Sequence, residues 1–179
     1  KNLSVSFDTP DGEAEAVRDV SFFVKKGDTL AIVGESGCGN SVLCRSIMKL
    51  LPKTARIKSG SVLLDGKEIT GLTDKAMQKL RGNSFSMVFK DPMTTLNPAM
   101  TVGAQIAEAV IIHRPEFSRE EVRCRVWELM ELVGIDHPKE RAAQYPWNFS
   151  GGMRQRSVLA IALASEPAVR LADEPTTAL

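Results

Sequence analysis

Residues 31–44 read AIVGESGCGNSVLC. The apolar run 30–33 (LAIV) leads into a glycine-rich turn, and from Ser41 the apolar spacing turns helical. A run that is apolar on both alternating faces suits a short parallel strand buried on both sides. Strand, glycine loop and helix in this order outline a phosphate-binding loop, G-x-x-x-x-G-K-[ST]. Gly34, Glu35, Ser36, Gly37, Cys38, Gly39 and Ser41 fit it, with Val42 following in the helix. The position of the lysine is taken by Asn40. In such a loop the glycines let successive N–H groups converge on an anion, and the helix start adds its positive end. Taken by itself the stretch fits either a phosphate loop or a plain turn between strand and helix.

The bulk properties describe an ordinary globular chain. Its 179 residues suffice for one sizeable core, and 43% are hydrophobic and 25% charged. With 23 basic against 22 acidic residues, no global field points to nucleic acid or an anionic membrane. No apolar run approaches the ~20 residues of a membrane helix, and no leader pattern precedes the first strand. Cys38, Cys44 and Cys124 have no metal-ligand spacing and read as structural thiols in a reducing compartment. Both ends look cut: the chain opens without Met and stops just after DEPTTAL.

Alternation predicts strands at Leu3, Val5 and Phe7 and again at Val20, Phe22 and Val24. A helix from Ser41 would carry Leu43, Ile47, Leu50 and Leu51 on one face and end at Pro52. GSVLLDGKEI reads as a hairpin with Asp65 and Gly66 at its tip. FSMVF, residues 85–89, is a further buried strand. A helical block comes next. Ile106, Val110 and Ile111 mark one segment after Thr101. Ser118 and Glu121 form a capping box ahead of the stripe Val122, Val126, Leu129 and Val133, with Gly134 as its stop. A third helix begins after Gly151 and Gly152, and AVRLADE returns to a strand. The order is that of an α/β protein with a helical insertion.

Three downstream motifs decide between the readings of the loop. FSGGMRQR (149–156) resembles the signature motif of ABC-transporter ATPases, RLADEPTTAL (170–179) their Walker B strand and the loop after it, and VFKDPMTTLNP (88–98) their Q-loop. The wording is most similar to the oligopeptide/dipeptide (or nickel) importer subfamily. The resemblance implies an α/β P-loop NTPase fold of the ABC nucleotide-binding type. That fold has a RecA-like core, an N-terminal antiparallel β subdomain and an α-helical insertion, here truncated at the C-terminus. On this reading 1–179 is a single incomplete ABC ATPase domain. Residues 1–90 form the β-rich and P-loop core, 91–165 the helical subdomain with the signature motif, and 166–179 the Walker B strand and the start of the next loop. The switch histidine and its central strand are expected beyond Leu179.

The resemblance also implies the site. Gly34, Glu35, Ser36, Gly37, Cys38, Gly39, Asn40, Ser41 and Val42 would hold the phosphates of ATP. Phe7 stands where the family stacks an aromatic on adenine, though a core phenylalanine reads equally well. Ser41 and Asp173 would serve Mg²⁺, and Glu174 would be the general base. Lys90 occupies the Q-loop glutamine position. Ser150, Gly151, Gly152 and Gln155 would reach, in trans, the nucleotide of a second ATPase subunit in a head-to-tail homo- or heterodimer. Transmembrane permease subunits are the implied direct partners and an extracytoplasmic solute-binding protein an indirect one, with no nucleic acid. The implied place is peripheral, on the cytoplasmic face of the inner (plasma) membrane.

Asn40, Lys90 and Arg170 depart from the family pattern, as does Trp147-Asn148 for a His-Glu pair. A neutral amide replaces a charge at the loop, so weaker nucleotide binding and slower hydrolysis are expected. The three changes read either as independent lesions or as compensation, in which the Lys90 ammonium restores charge from the Q-loop side. Two alternatives to an active importer ATPase remain: a non-hydrolysing partner subunit and a non-functional gene fragment.

Overall fold

The computed structural model describes residues 1–35 and 37–175. Contacts divide the chain into two compact units, Lys1–Lys79 and Leu80–Leu179.

In the first unit, β1 (Leu3–Thr9) pairs antiparallel with β2 (Gly12–Val20) and with β3 (Ala55–Ser59), giving the order β2-β1-β3. Val5, Leu3 and Val17 turn one face of this sheet onto Leu43 of α1 (Asn40–Ile47). The opposite face carries charge. Ser6 donates a 2.6 Å hydrogen bond to Oε1 of Glu13, and Arg56 and Lys58 of β3 close on the same carboxylate at 3.2 and 3.1 Å.

Helix α1 stops before Pro52. Lys49 takes a left-handed φ of 53°. Its N–H bonds the carbonyl of Ser46 at 3.1 Å, and that of Leu50 reaches Arg45 at 2.8 Å. This is the Schellman pairing, formed here without glycine. The Lys49 side chain, bonded to the carbonyl of Leu72, helps hold the turn. The hairpin of β4 (Leu63–Leu64) and β5 (Lys67–Glu68) turns on Asp65 and Gly66, both at positive φ, as a two-residue type I′ turn requires.

Two expected strands do not form, the one through Phe22 and Val24 and the one over 30–33. β2 ends at Val20, and residues 21–35 pair with no strand among the described residues. Phe23 is 78% exposed and Val33 91%. Apolar patterning states which residues seek burial, but a strand also needs a neighbour to complete its ladder, and the described sheet offers these residues none.

Helix α2 (Asp74–Leu80) lies in the first unit up to Lys79. In the second, β6 (Phe85–Val88) and β7 (Val169–Ala172) pair in parallel, from Phe85↔Val169 to Val88↔Ala172. All four β6 residues are buried. Between the two strands the chain forms α3 (Pro92–Thr95), α4 (Val102–His113), α5 (Arg119–Leu132), α6 (Pro138–Arg141) and α7 (Gly151–Leu163), with a 3₁₀ turn over Pro146–Asn148. The capping box forms as expected: Ser118 accepts from the Glu121 N–H, and the Glu121 carboxylate accepts from the Ser118 N–H at 2.7 Å. Gly134, at φ 78°, closes α5 with a Schellman pair that brings buried Ile135 onto Met130. On α4 the buried stripe is Val102, Ile106 and Val110, while Ile111 is exposed, because spacings of four hold one face and 111 turns off it. Trp127 of α5 has two cations near its ring, Arg123 at 5.3 Å and Lys139 at 5.0 Å from the centroid.

Gly103 allows α4 to approach the chain after α6: its N–H bonds the Ala142 carbonyl at 2.9 Å, and an added Cβ would sit 2.6 Å from that oxygen. Gly103→Ala should therefore cost about 1–3 kcal/mol in urea unfolding, despite alanine's better helix propensity.

The Ser6 hydrogen bond, then those of Lys58 and Arg56, lower the Glu13 carboxyl from 4.5 to about 2. A depressed carboxylate stabilises the fold above its unfolded value, and that contribution is lost as pH falls through the folded one. The thermal midpoint should drop between pH 4.5 and about 2, and Glu13→Gln should flatten that fall.

Candidate functional site

The glycine loop of the first unit is shaped by its own backbone. Gly37 and Gly39 have φ of 87° and 95°, a region that strongly favours glycine. A Cβ on Gly39 would lie 2.3 Å from the carbonyl oxygen of Ala16 in β2, so only glycine lets the loop pass that strand. The Cys38 N–H bonds the Glu35 carbonyl at 3.1 Å and closes the turn. A Cβ on Gly34 would meet the Cys38 sulfur at 2.4 Å, with the Asn40 amide nitrogen 3.5 Å away. The Asn40 side chain thus folds back toward the loop.

Helix α1 starts at Asn40 behind Gly39, with no side-chain cap and no acidic residue in its first turn. The first N–H groups of a helix have no partner within it, and the peptide dipoles leave that end positive. An uncapped start beneath a glycine turn favours an anion. Gly34, Glu35, Gly37 and Cys38 are exposed, and Gly39, Asn40, Ser41 and Val42 half-buried; Ser36 lies outside the described residues. Phe7, on β1 opposite Ala14 and Ala55, is half-buried.

The second unit gathers the acids. Past β7 the Asp173 N–H bonds the Val88 carbonyl at 2.9 Å, extending the ladder by one step. The Asp173 residue is 4% exposed. Glu174 then takes φ 47°, turning the chain sharply. Continued two residues past Val88↔Ala172, the same register brings Lys90 opposite Glu174. The Lys90 Nζ lies 2.7 Å from Oε2 of Glu174. Pairing with Glu174, with the Asp173 charge behind it, raises the Lys90 ammonium above the usual lysine value. Residue patterns along the chain do not disclose this pair. The signal that could have found it is the pairing of two short strands, each carrying an opposite charge two residues past its end.

Arg170 lies on an exposed position of β7, so its charge meets no desolvation penalty in this structure. Ser150 is the N-cap of α7, its hydroxyl accepting from the Met153 N–H at 3.3 Å. Ser150 and Gly151 are exposed and Gly152 half-buried. Gln155 does not share that surface. It is 0% exposed, and neither of its amide atoms has a partner among the described residues. Just before the cap, Trp147 stacks on Tyr145 at 4.4 Å and 5°. Trp147 is the first residue of the Trp-Asn pair that stands where His-Glu was expected.

Among the described residues no cluster of three His, Cys, Asp or Glu could hold a metal. Asp173 and the Ser41 hydroxyl are hard oxygen donors of the kind Mg²⁺ takes with several waters. Asp173, fixed by the ladder, fits such a role.

Known proteins are similar to this chain in sequence and in fold. The family model described as ABC transporter matches residues 17–177. The oligopeptide transport ATP-binding protein OppD of Bacillus subtilis (strain 168) is 52% identical over 180 residues, spanning 100% of this chain and 50% of that protein. The dipeptide transport ATP-binding protein DppD of the same strain is 53% identical, spanning 100% of this chain and 53% of its own length. The chain thus spans about half the length of these curated relatives. Among solved structures, the post-hydrolysis dimer of the ATP-binding cassette MJ0796 bound to ADP and Pi superposes with a TM-score of 0.89 at 29% identity. That match covers 100% of this chain and 74% of the other.

Replacing the Ser150 cap should be felt locally. Ser150→Ala is expected to cost about 1 kcal/mol, with faster amide exchange confined to the first turn of α7.

Proposed function

The chain belongs to the ABC transporter family, and on that premise we propose that it is the ATP-binding part of an importer subunit. It would couple ATP binding and hydrolysis to uptake of oligopeptides or dipeptides, as the names of its relatives suggest. One observation carries the reading: the uncapped start of α1 behind Gly37 and Gly39. The loop N–H groups from Gly34 to Val42 would hold the triphosphate. Phe7 would lie against adenine. Ser41 and Asp173 would serve Mg²⁺, which neutralises phosphate charge when bound. Glu174 would orient the attacking water and accept its proton. Ser150, Gly151 and Gly152 would face the nucleotide of a second subunit across a head-to-tail dimer.

Permease subunits would be the membrane partners, with a solute-binding protein acting through them. No helix among the described residues is long and apolar enough to cross a membrane. Attachment to the permease would place the subunit on the cytoplasmic face.

A second reading, a non-hydrolysing partner, gains from two features together. Asn40 removes the loop's charge, while Ser150 and Gly151 stay exposed for a sister subunit. Titrating the full-length protein with a fluorescent ATP analogue should show binding, tightened about tenfold by Asn40→Lys. A charge-assisted bond is roughly twice as strong as a neutral one, and 1.4 kcal/mol is about tenfold in affinity. No binding by either form would sink the ATP-binding reading. Hydrolysis only after mixing with a sister subunit would favour the partner reading.

A further inference from the structure

Lys90 and Glu174 are brought together by backbone rather than by burial. Their side chains are 51% and 50% exposed, so no close packing forces the contact. The restraints lie on either side. Before Lys90 stands the β6–β7 ladder. After it, Asp91 anchors α3: its carboxylate accepts from the Met93 N–H at 2.8 Å and the Thr94 hydroxyl at 3.2 Å. The Asp91 carbonyl also accepts from the Thr95 hydroxyl at 2.7 Å. On the other strand, the Asp173 ladder bond and the left-handed turn at Glu174 set the direction in which the Glu174 side chain leaves the backbone. Asp173 adds a second negative charge acting on the same ammonium.

A general base needs a carboxylate lone pair directed at water. In ATP hydrolysis the water oxygen bonds to the γ-phosphorus and the bond to the β–γ bridging oxygen breaks. ADP and phosphate leave, and the water's proton passes to the base. A carboxylate oxygen that already accepts a charge-assisted bond from an ammonium is less basic and less free to turn. A neutral amide in the same place would make a bond about half as strong.

We propose that Lys90 is a positioning residue that restrains Glu174: it clamps the carboxylate, so that hydrolysis waits on the opening of this ion pair. The proposal rests on Glu174 being the general base of the proposed ATPase. It slows hydrolysis through a contact within the second unit, separate from the weaker binding expected from Asn40.

The test uses the full-length protein and steady-state phosphate release. Lys90→Gln should raise kcat roughly tenfold, a modest part of the ~10²–10⁴-fold that a positioned base contributes, and leave KM unchanged. Lys90→Met, which removes the bond altogether, should do the same and serves if Lys90→Gln folds poorly. Lys90→Arg keeps a cation on the carboxylate and should show little of the gain. In a Glu174→Gln background the effect of Lys90→Gln should vanish, since the two act as a unit. A kcat unchanged or lowered in both neutral variants overturns the clamp, as does a gain that persists without the Glu174 carboxylate. Titration with the fluorescent ATP analogue keeps the two readings apart. Absence of binding refutes the ATP-binding assignment and the clamp with it, whereas binding with unchanged kcat refutes the clamp alone.

Discussion

The parallel pairing of residues 85–88 with 169–172 governs the chemistry of the second unit. It joins strands that lie far apart in sequence and fixes the residues just past the end of each. Val88 opposite Ala172 leaves the Asp173 N–H one step further along the same ladder, bonded to the Val88 carbonyl. Lys90 and Glu174 then emerge side by side. Val158 and Ala162 of α7 pack with Val88, so the helix carrying Ser150 at its start is seated on this strand pair. A slip of one residue would turn every β6 side chain to the other face and separate the acid from its cation.

Clearance does for the first unit what register does for the second. The path of the glycine loop is limited by how closely backbone can pass backbone. Gly39 slips by Ala16 only because it lacks a Cβ, and the helix behind it begins without a cap. The path of the loop is therefore set by backbone clearance and not by the side chain at position 40. Asn40 brings no charge to the loop, while the loop backbone is held by its glycines and by β2. The conformation and the charge of the site are separable properties in this chain.

Local chemistry was legible wherever neighbours along the chain decide the outcome. The Ser118–Glu121 box, the Asp65-Gly66 turn and the Gly134 stop each depend on a few adjacent residues, and each is found. The α5 stripe of Val122, Val126 and Leu129 is buried as its spacing requires. The family itself was legible from the glycine loop and its downstream motifs as a resemblance. Three features were not. Lys49 ends α1 early because a lysine adopts a left-handed turn that the sequence would reserve for glycine or asparagine. Residues 21–35 have strand-like patterns but find no ladder among the described residues. The Lys90–Glu174 pair depends on register between distant segments, which no local period encodes. Gln155 shows the same limit, since the motif that names it does not say which way α7 turns it.

The two tryptophans of the chain both lie in the second unit. Trp127 has two cations near its ring and Trp147 is π-stacked on the chain's one tyrosine. Intrinsic near-ultraviolet emission is therefore a private signal of residues 80–179. The sheet and glycine loop of the first unit are optically silent apart from phenylalanine, so ring emission reports the surroundings of Trp127, Tyr145 and Trp147 alone.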